Sequence, residues 1–187
     1  MLVILGWANT AFAHVEGGQA AGFFTGLGHP WSGLDHVLAM VAVGIWGAQL
    51  GTPAIWLLPI AFPLMMTMGA MLGLLGIPIP GVEIGIAASA VFLGTMILGE
   101  VRPKIAVAMV LVGVFAIFHG HAHGTELPAG QSGLLYSMGF VIGTGCLHAV
   151  GIVLGLAYSH RVGQLALRAA GMFIAVMGVV FLWGAIA

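Results

Sequence analysis

Residues 104–120 read Lys104-Ile-Ala-Val-Ala-Met-Val-Leu-Val-Gly-Val-Phe-Ala-Ile-Phe-His-Gly120, an apolar run that starts on a lysine and ends in a histidine. A helix across the hydrocarbon core of a bilayer takes ~20 such residues. Working outward, five further runs have the same character, at 34–50, 53–76, 83–99, 132–158 and 165–186. A shorter apolar piece at 19–28 is broken at Gly28-His29-Pro30. Pro53, Pro78, Pro80, Pro103 and Pro128 fall at or near the boundaries, where a missing N–H costs least. Pro59 and Pro63 fall inside the second run and are expected to kink it, with neighbouring groups satisfying the freed carbonyls.

Composition agrees. Of 187 residues 61% are hydrophobic and 5% charged, and mean hydropathy is +1.17. Soluble domains carry about a quarter charged residues, so four basic and five acidic side chains cannot cover a water-facing surface. The expected fold is all-α: a polytopic bundle of six transmembrane helices in one domain, residues 14–187, with the lipid bilayer as solvent. Glycine pairs at Gly22/Gly26, Gly69/Gly73, Gly139/Gly143 and Gly151/Gly155 have the spacing that lets helices approach closely in lipid. A net charge near zero gives no support for nucleic-acid binding, and Cys146 alone excludes an intrachain disulfide. A homo-oligomer is compatible with these features and is not required by them.

Residues 1–13 end in an A-x-A pattern at Ala11 and Ala13, like the back half of a secretory signal cleaved before His14; an uncleaved interfacial segment is the other reading. Freed as a terminus, His14 would offer both amine and imidazole to a metal. Arg102 and Lys104 lie between the third and fourth runs, Arg161 and Arg168 between the fifth and sixth. With six helices these are on one side, which the basic residues mark as cytoplasmic, leaving both termini outside.

Eight histidines nearly equal all the charged residues together. His29-Pro-Trp-Ser-Gly-Leu-Asp35-His36 sets two imidazoles and a carboxylate at the outer mouth of the first helix. Nitrogen and oxygen donors without thiolate suit nickel, cobalt, zinc or ferrous iron. The plainer reading is a Pro30/Gly33 turn with Ser32 or Asp35 capping the helix. His119-Gly-His121-Ala-His123 can chelate either on a continuing helix or in an extended segment, and Gly120 and Gly124 favour a loop beyond His119. Here the alternative is a set of histidines that only solvate a polar loop. His148 sits mid-run, roughly 20 Å from either end, where an ionisable group usually faces a cavity or partner. It is either an inner relay or a neutral ring bonded to a helix carbonyl.

Weaker candidates are Met65, Met68 and Met71, which share a helix face but more often fill gaps. Glu83 suits a helix N-terminus, Glu100 a pairing with Arg102 or Lys104, and Glu16 and Glu126 an outer negative potential. No nucleotide, nucleophile or haem motif is present, so a permanently bound cofactor is not expected.

The His29-Pro-x-x-Gly-x-Asp35-His36 motif resembles the signature of the HupE/UreJ family of hydrogenase/urease accessory nickel permeases. Trp56-Leu-Leu-Pro59, Pro80-Gly-Val-Glu83, Gly85-Ile-Ala-Ala-Ser89 and Phe118-His-Gly-His-Ala-His-Gly124 are similar to the same family, across essentially the whole chain. The resemblance implies a bacterial inner-membrane protein with a cleavable signal and six helices that supplies nickel, or sometimes cobalt, for metalloenzyme assembly. It carries metal contacts onto His29, Asp35, His36, His119, His121 and His123. Together with the residue-level reading, the expectation is a permease, not an enzyme, whose substrate is Ni2+ or Co2+, with Zn2+ a further candidate. The alternatives are an intramembrane zinc enzyme, which would need Glu83 in the site, and a metal sensor without flux.

Overall fold

The structure, a computed structural model, describes residues 22–127, 130 and 132–187, and within them every apolar run is helical. The signal-like segment 1–13, His14, Glu16 and Pro128 lie outside these residues. Seven helices and no strand are found among the described residues. Helix α1 covers Gly22–Trp31, ending in a 3-10 turn at His29–Trp31. It is followed by α2 (Leu34–Leu50), α3 (Ala54–Leu74), α4 (Val82–Leu98), α5 (Ile105–Thr125), α6 (Gly133–Gly155, extended by a 3-10 turn at Leu156–Ser159) and α7 (Arg161–Ile186). Four of these, α3, α5, extended α6 and α7, are long and apolar enough to cross a membrane. The α1–α2 pair, bent by 78°, counts as a fifth, and α4 is a shorter apolar helix of 17 residues.

The surface is inverted relative to a soluble protein. Trp56, Leu64, Phe173 and Trp183 (70% exposed) point outward, while Ser89, His119, Thr144 and His148 are buried. Apolar side chains on the outside and polar ones within suit a hydrocarbon solvent.

Several helix pairs are packed through glycine. Without a hydrophobic force between helices in lipid, close backbone contact has to supply the attraction. On α3, Gly69 and Gly73 lie against the backbone of α5 at Ile117 and His121; reciprocally, Gly120 and Gly124 of α5 lie against the carbonyls of Met66 and Ala70. Gly44 of α2 and Gly151 of α6 meet in the same way, as do Gly94 of α4 and Gly171 of α7. A Cβ at any of these positions would overlap backbone atoms.

This packing corrects the sequence reading of α5. A loop beyond His119 is expected from Gly120 and Gly124, yet the helix continues to Thr125, because those glycines serve contact with α3 instead of a turn. α7 likewise begins at Arg161, so Arg168 is inside the helix and not in a connecting loop. α3 runs through Pro59 and Pro63 as one element. The N-cap of α2 is Gly33, with no side-chain cap from Ser32 or Asp35; Ser32 Oγ donates instead to the His29 carbonyl at 2.7 Å.

At the end of the bundle where α4 meets α5, Trp46 Nε1 donates to the Val101 carbonyl at 3.0 Å, tying α2 to that connection. Glu100, in the left-handed region at φ 51°, accepts from Tyr158 Oη at 2.6 Å, and the Arg102 guanidinium lies 5.3 Å over the Tyr158 ring. The expected pairing of Glu100 with Arg102 or Lys104 is therefore replaced by Tyr158; among the described residues Glu100 makes no ion pair.

A direct consequence is that Gly120→Leu should force α3 and α5 apart and destabilise the fold by roughly 1–3 kcal/mol, the usual range for overpacking. Thermal unfolding in detergent measures this, and a wild-type midpoint would contradict the packing account.

Candidate metal centre

The turn His29–Trp31, the first turn of α2 and the last turns of α5 converge at one end of the bundle. It is the end opposite Arg102 and Lys104, since α5 starts beside those residues and finishes here. Asp35 and His36 open α2. Asp35 Oδ1 accepts from the His36 backbone N–H at 2.9 Å and from His36 Nδ1 at 2.9 Å. A carboxylate on Nδ1 fixes the ring's tautomer, leaving the Nε2 lone pair bare. That Nε2 is buried and has no hydrogen-bond partner.

His119 is arranged in the same way. Its Nδ1 donates to the Phe115 carbonyl, one turn back on α5, at 2.9 Å, and its buried Nε2 is unpartnered. His123 follows one turn later because α5 stays helical, and neither of its ring nitrogens has a hydrogen-bond partner. Buried polar atoms are normally satisfied, so bare nitrogens gathered at one place call for a ligand.

Ring centroids run in file: His29 to His123 4.7 Å, His123 to His36 4.5 Å, His36 to His119 5.0 Å. Glu126 closes the mouth of the file. Its Oε2 accepts from His29 Nε2 at 3.2 Å and lies 3.6 Å from His123 Nδ1. One donor atom from each of His29, His123 and Glu126 falls within 4.8 Å of the others, a spacing that can hold a metal ion. His123, joined by His29, holds the Glu126 carboxyl below its ordinary range against the opposing effect of burial. The Glu126 side chain is 53% exposed and that of His29 24%, whereas His123 is 4% and His36 12% exposed, and His119 is fully buried. Phe140 of α6 packs on His123 at 4.3 Å, and an apolar cleft between α3 and α6 runs beside that ring.

The site thus gathers His29, Asp35, His36, His119 and His123. His121 does not join them: two residues from His119 on a helix, it points to the other side, where Nε2 donates to the Ile77 carbonyl at 2.8 Å and anchors the α3–α4 connection. His148 stands apart on α6, its Nδ1 donating to the Met40 carbonyl of α2 at 2.8 Å. Met68 and Met71 are exposed on the outer face of α3. Glu83 is exposed in the first turn of α4, and among the described residues nothing joins it to the imidazoles by hydrogen bond or ion pair. Glu126 was legible only as a source of negative potential. Its i, i+3 spacing from His123 becomes a signal once α5 is known to stay helical through Gly124.

The sequence profile described as HupE / UreJ protein matches residues 2–181. The chain belongs to the HupE/UreJ family. A curated relative, Protein HupE of Rhizobium leguminosarum bv. viciae, is 44% identical over 183 residues, covering 98% of this chain and 95% of that protein. No solved structure matches. As a HupE/UreJ protein, the chain sets its histidines on glycine-packed helices, so the donors are positioned before any ion arrives.

If Asp35 acts by orienting His36, Asp35→Asn should weaken Ni2+ binding about 10- to 100-fold, as loss of a ligand's supporting partner does. Titration calorimetry on the purified variant gives the affinity and circular dichroism the retained helix content; unchanged affinity would contradict the assignment.

Proposed function

We propose that the chain is an inward permease for a divalent transition-metal ion, Ni2+ first and Co2+ second, in the bacterial inner membrane. The observation that carries this is the file of imidazoles that runs from the partly exposed His29 to the fully buried His119, with bare nitrogens on His123, His36 and His119. A purely surface chelator has no use for His119, which is fully buried behind His36.

In this reading six spans cross the membrane: the bent α1–α2 pair, α3, α4, α5, α6 and α7. At a rise of 1.5 Å per residue α4 reaches about 26 Å, close to the ~30 Å hydrocarbon core. Arg102, Lys104, Arg161 and Arg168 then face the cytoplasm and Glu126 faces outward. The Glu126 carboxylate, with its negative charge, attracts the hydrated cation to His29 and His123. Successive imidazole nitrogens replace water ligands as the ion moves inward, and His36 is kept in the ligating tautomer by Asp35. An inside-negative potential favours the movement of a divalent cation in that direction. Supply of nickel for hydrogenase or urease assembly is the role that family resemblance supports.

The zinc-enzyme reading asked for Glu83 as general base beside the metal. Its exposed place at the start of α4, with no hydrogen bond or ion pair to the imidazoles among the described residues, favours transport over hydrolysis.

Reconstituted into liposomes with an imposed inside-negative potential, the full chain should accumulate Ni2+ ahead of Co2+ and Zn2+. His36→Ala, correctly folded, should abolish the signal. Absence of potential-dependent uptake by folded wild-type protein would overturn the proposal.

A further inference from the structure

Below the file of imidazoles lies a second group of bare polar atoms that the capture site does not use. The ring of Phe62, fully buried on α3, stands between the two: its centroid is 5.4 Å from that of His119 and 5.4 Å from that of His148, edge-on to both, with interplanar angles of 64° and 79°. Behind it, His148 is 1% exposed. Its Nδ1–H is taken up by the Met40 carbonyl at 2.8 Å, so the lone pair is on Nε2, which is buried and has no partner. One turn earlier on the same face of α6, Thr144 is fully buried and its Oγ1 is also unpartnered. Residues four apart on a helix are neighbours, so two bare oxygen and nitrogen acceptors share one patch of α6.

A cross-brace between α6 and α2 accounts for Nδ1 and for nothing else. Leaving Nε2 and Oγ1 without partners costs their desolvation, and Thr in a helix ordinarily avoids that by bonding a carbonyl one turn back. The tautomer is moreover that of His36 and His119: Nδ1 anchored, Nε2 bare.

We propose that His148 Nε2 and Thr144 Oγ1 form an inner station for the same divalent transition-metal ion, separated from the outer file by the Phe62 ring. This inference rests on the permease reading. The ion would leave His119 past the edge of Phe62 and be held by His148 and Thr144, its remaining positions filled by water. An imidazole and a neutral hydroxyl bind more weakly than the outer set with its carboxylates, so the inner station releases readily.

The test uses the purified full chain in detergent with Ni2+ alone, by equilibrium dialysis, and the same protein in liposomes. Wild type should bind in a tight outer phase and a weaker inner one. His148→Asn keeps an N–H for the Met40 carbonyl and removes Nε2; it should retain the tight phase, lose the weaker one and lower uptake roughly tenfold, the lower end of the loss expected when a metal site is disturbed. Thr144→Val, similar in shape and suited to lipid, should act in the same direction to a lesser degree. A single phase in wild type, or His148→Asn protein with both phases and wild-type uptake, overturns the inner station and leaves the permease reading standing. Wild-type protein without the tight phase overturns both.

Discussion

Backbone contact between α3 and α5 is the constraint on which the site depends. Gly69 and Gly73 on one helix and Gly120 and Gly124 on the other let the two backbones meet directly at these positions. Two consequences follow from that one feature. The helices come close enough for dispersion to hold them together in lipid, where hydrophobic association is not available. And α5 is kept helical through a sequence rich in glycine, which is intrinsically poor at that task. His119 and His123 therefore stand one turn apart on a fixed face while His121 is sent to the opposite side. Had the helix frayed at Gly120, the three imidazoles would have been free to point together, and the file with His36 and His29 would not exist.

The second organising feature is chemical. An imidazole has two nitrogens, and in a dry interior each must be accounted for. His36, His119 and His148 solve this by giving Nδ1–H to an oxygen, from Asp35, Phe115 and Met40 in turn. Each acceptor is local or lies on the adjoining helix, so the ring orientation is set by the fold and not by the ion. His123 is the exception, with both nitrogens bare and Glu126 nearby. A ring free to present either nitrogen is suited to passing an ion between His29 and His36.

Much of this was legible in the sequence, and the failures have a common cause. Apolar runs located the helices, because in a bilayer every spanning backbone has to satisfy its own hydrogen bonds and only a continuous helix does so. His29, Asp35 and His36 could be grouped because they are local in the chain. What sequence could not resolve was the purpose of glycine. At Gly120 and Gly124 it reads equally as a loop former and as a packing residue, and the choice decides the direction of His121, the reach of α5 and the position of Glu126. The same ambiguity attends Asp35, whose carboxylate suits a helix cap and a histidine partner alike. Only the conformation of Gly33, which takes the cap position, separates them. Glu100 went astray for a different reason: Tyr158 is 58 residues away, and no local pattern announces it.

A file of imidazoles is also a different solution from a single closed cage. Four imidazoles and two carboxylates around one point would bind a first-row cation tightly and release it slowly. Spread over four successive rings, with centroid separations of 4.5 to 5.0 Å, the same donors offer the ion only a few ligands at any depth. Conduction requires binding strong enough for entry but weak or divided enough for exit. Glu126 places negative charge at the exposed end, beside His29 and His123, and Asp35 places it on His36; beyond them His119 and His148 are anchored to the neutral Phe115 and Met40 carbonyls on either side of Phe62. In the proposed permease, attraction is thus stronger among the carboxylate-bearing outer rings than at His148. A receptor that only reports metal gains nothing from that gradient, because its signal improves with retention. In the proposed permease, the absence of a carboxylate beside His148 favours passage.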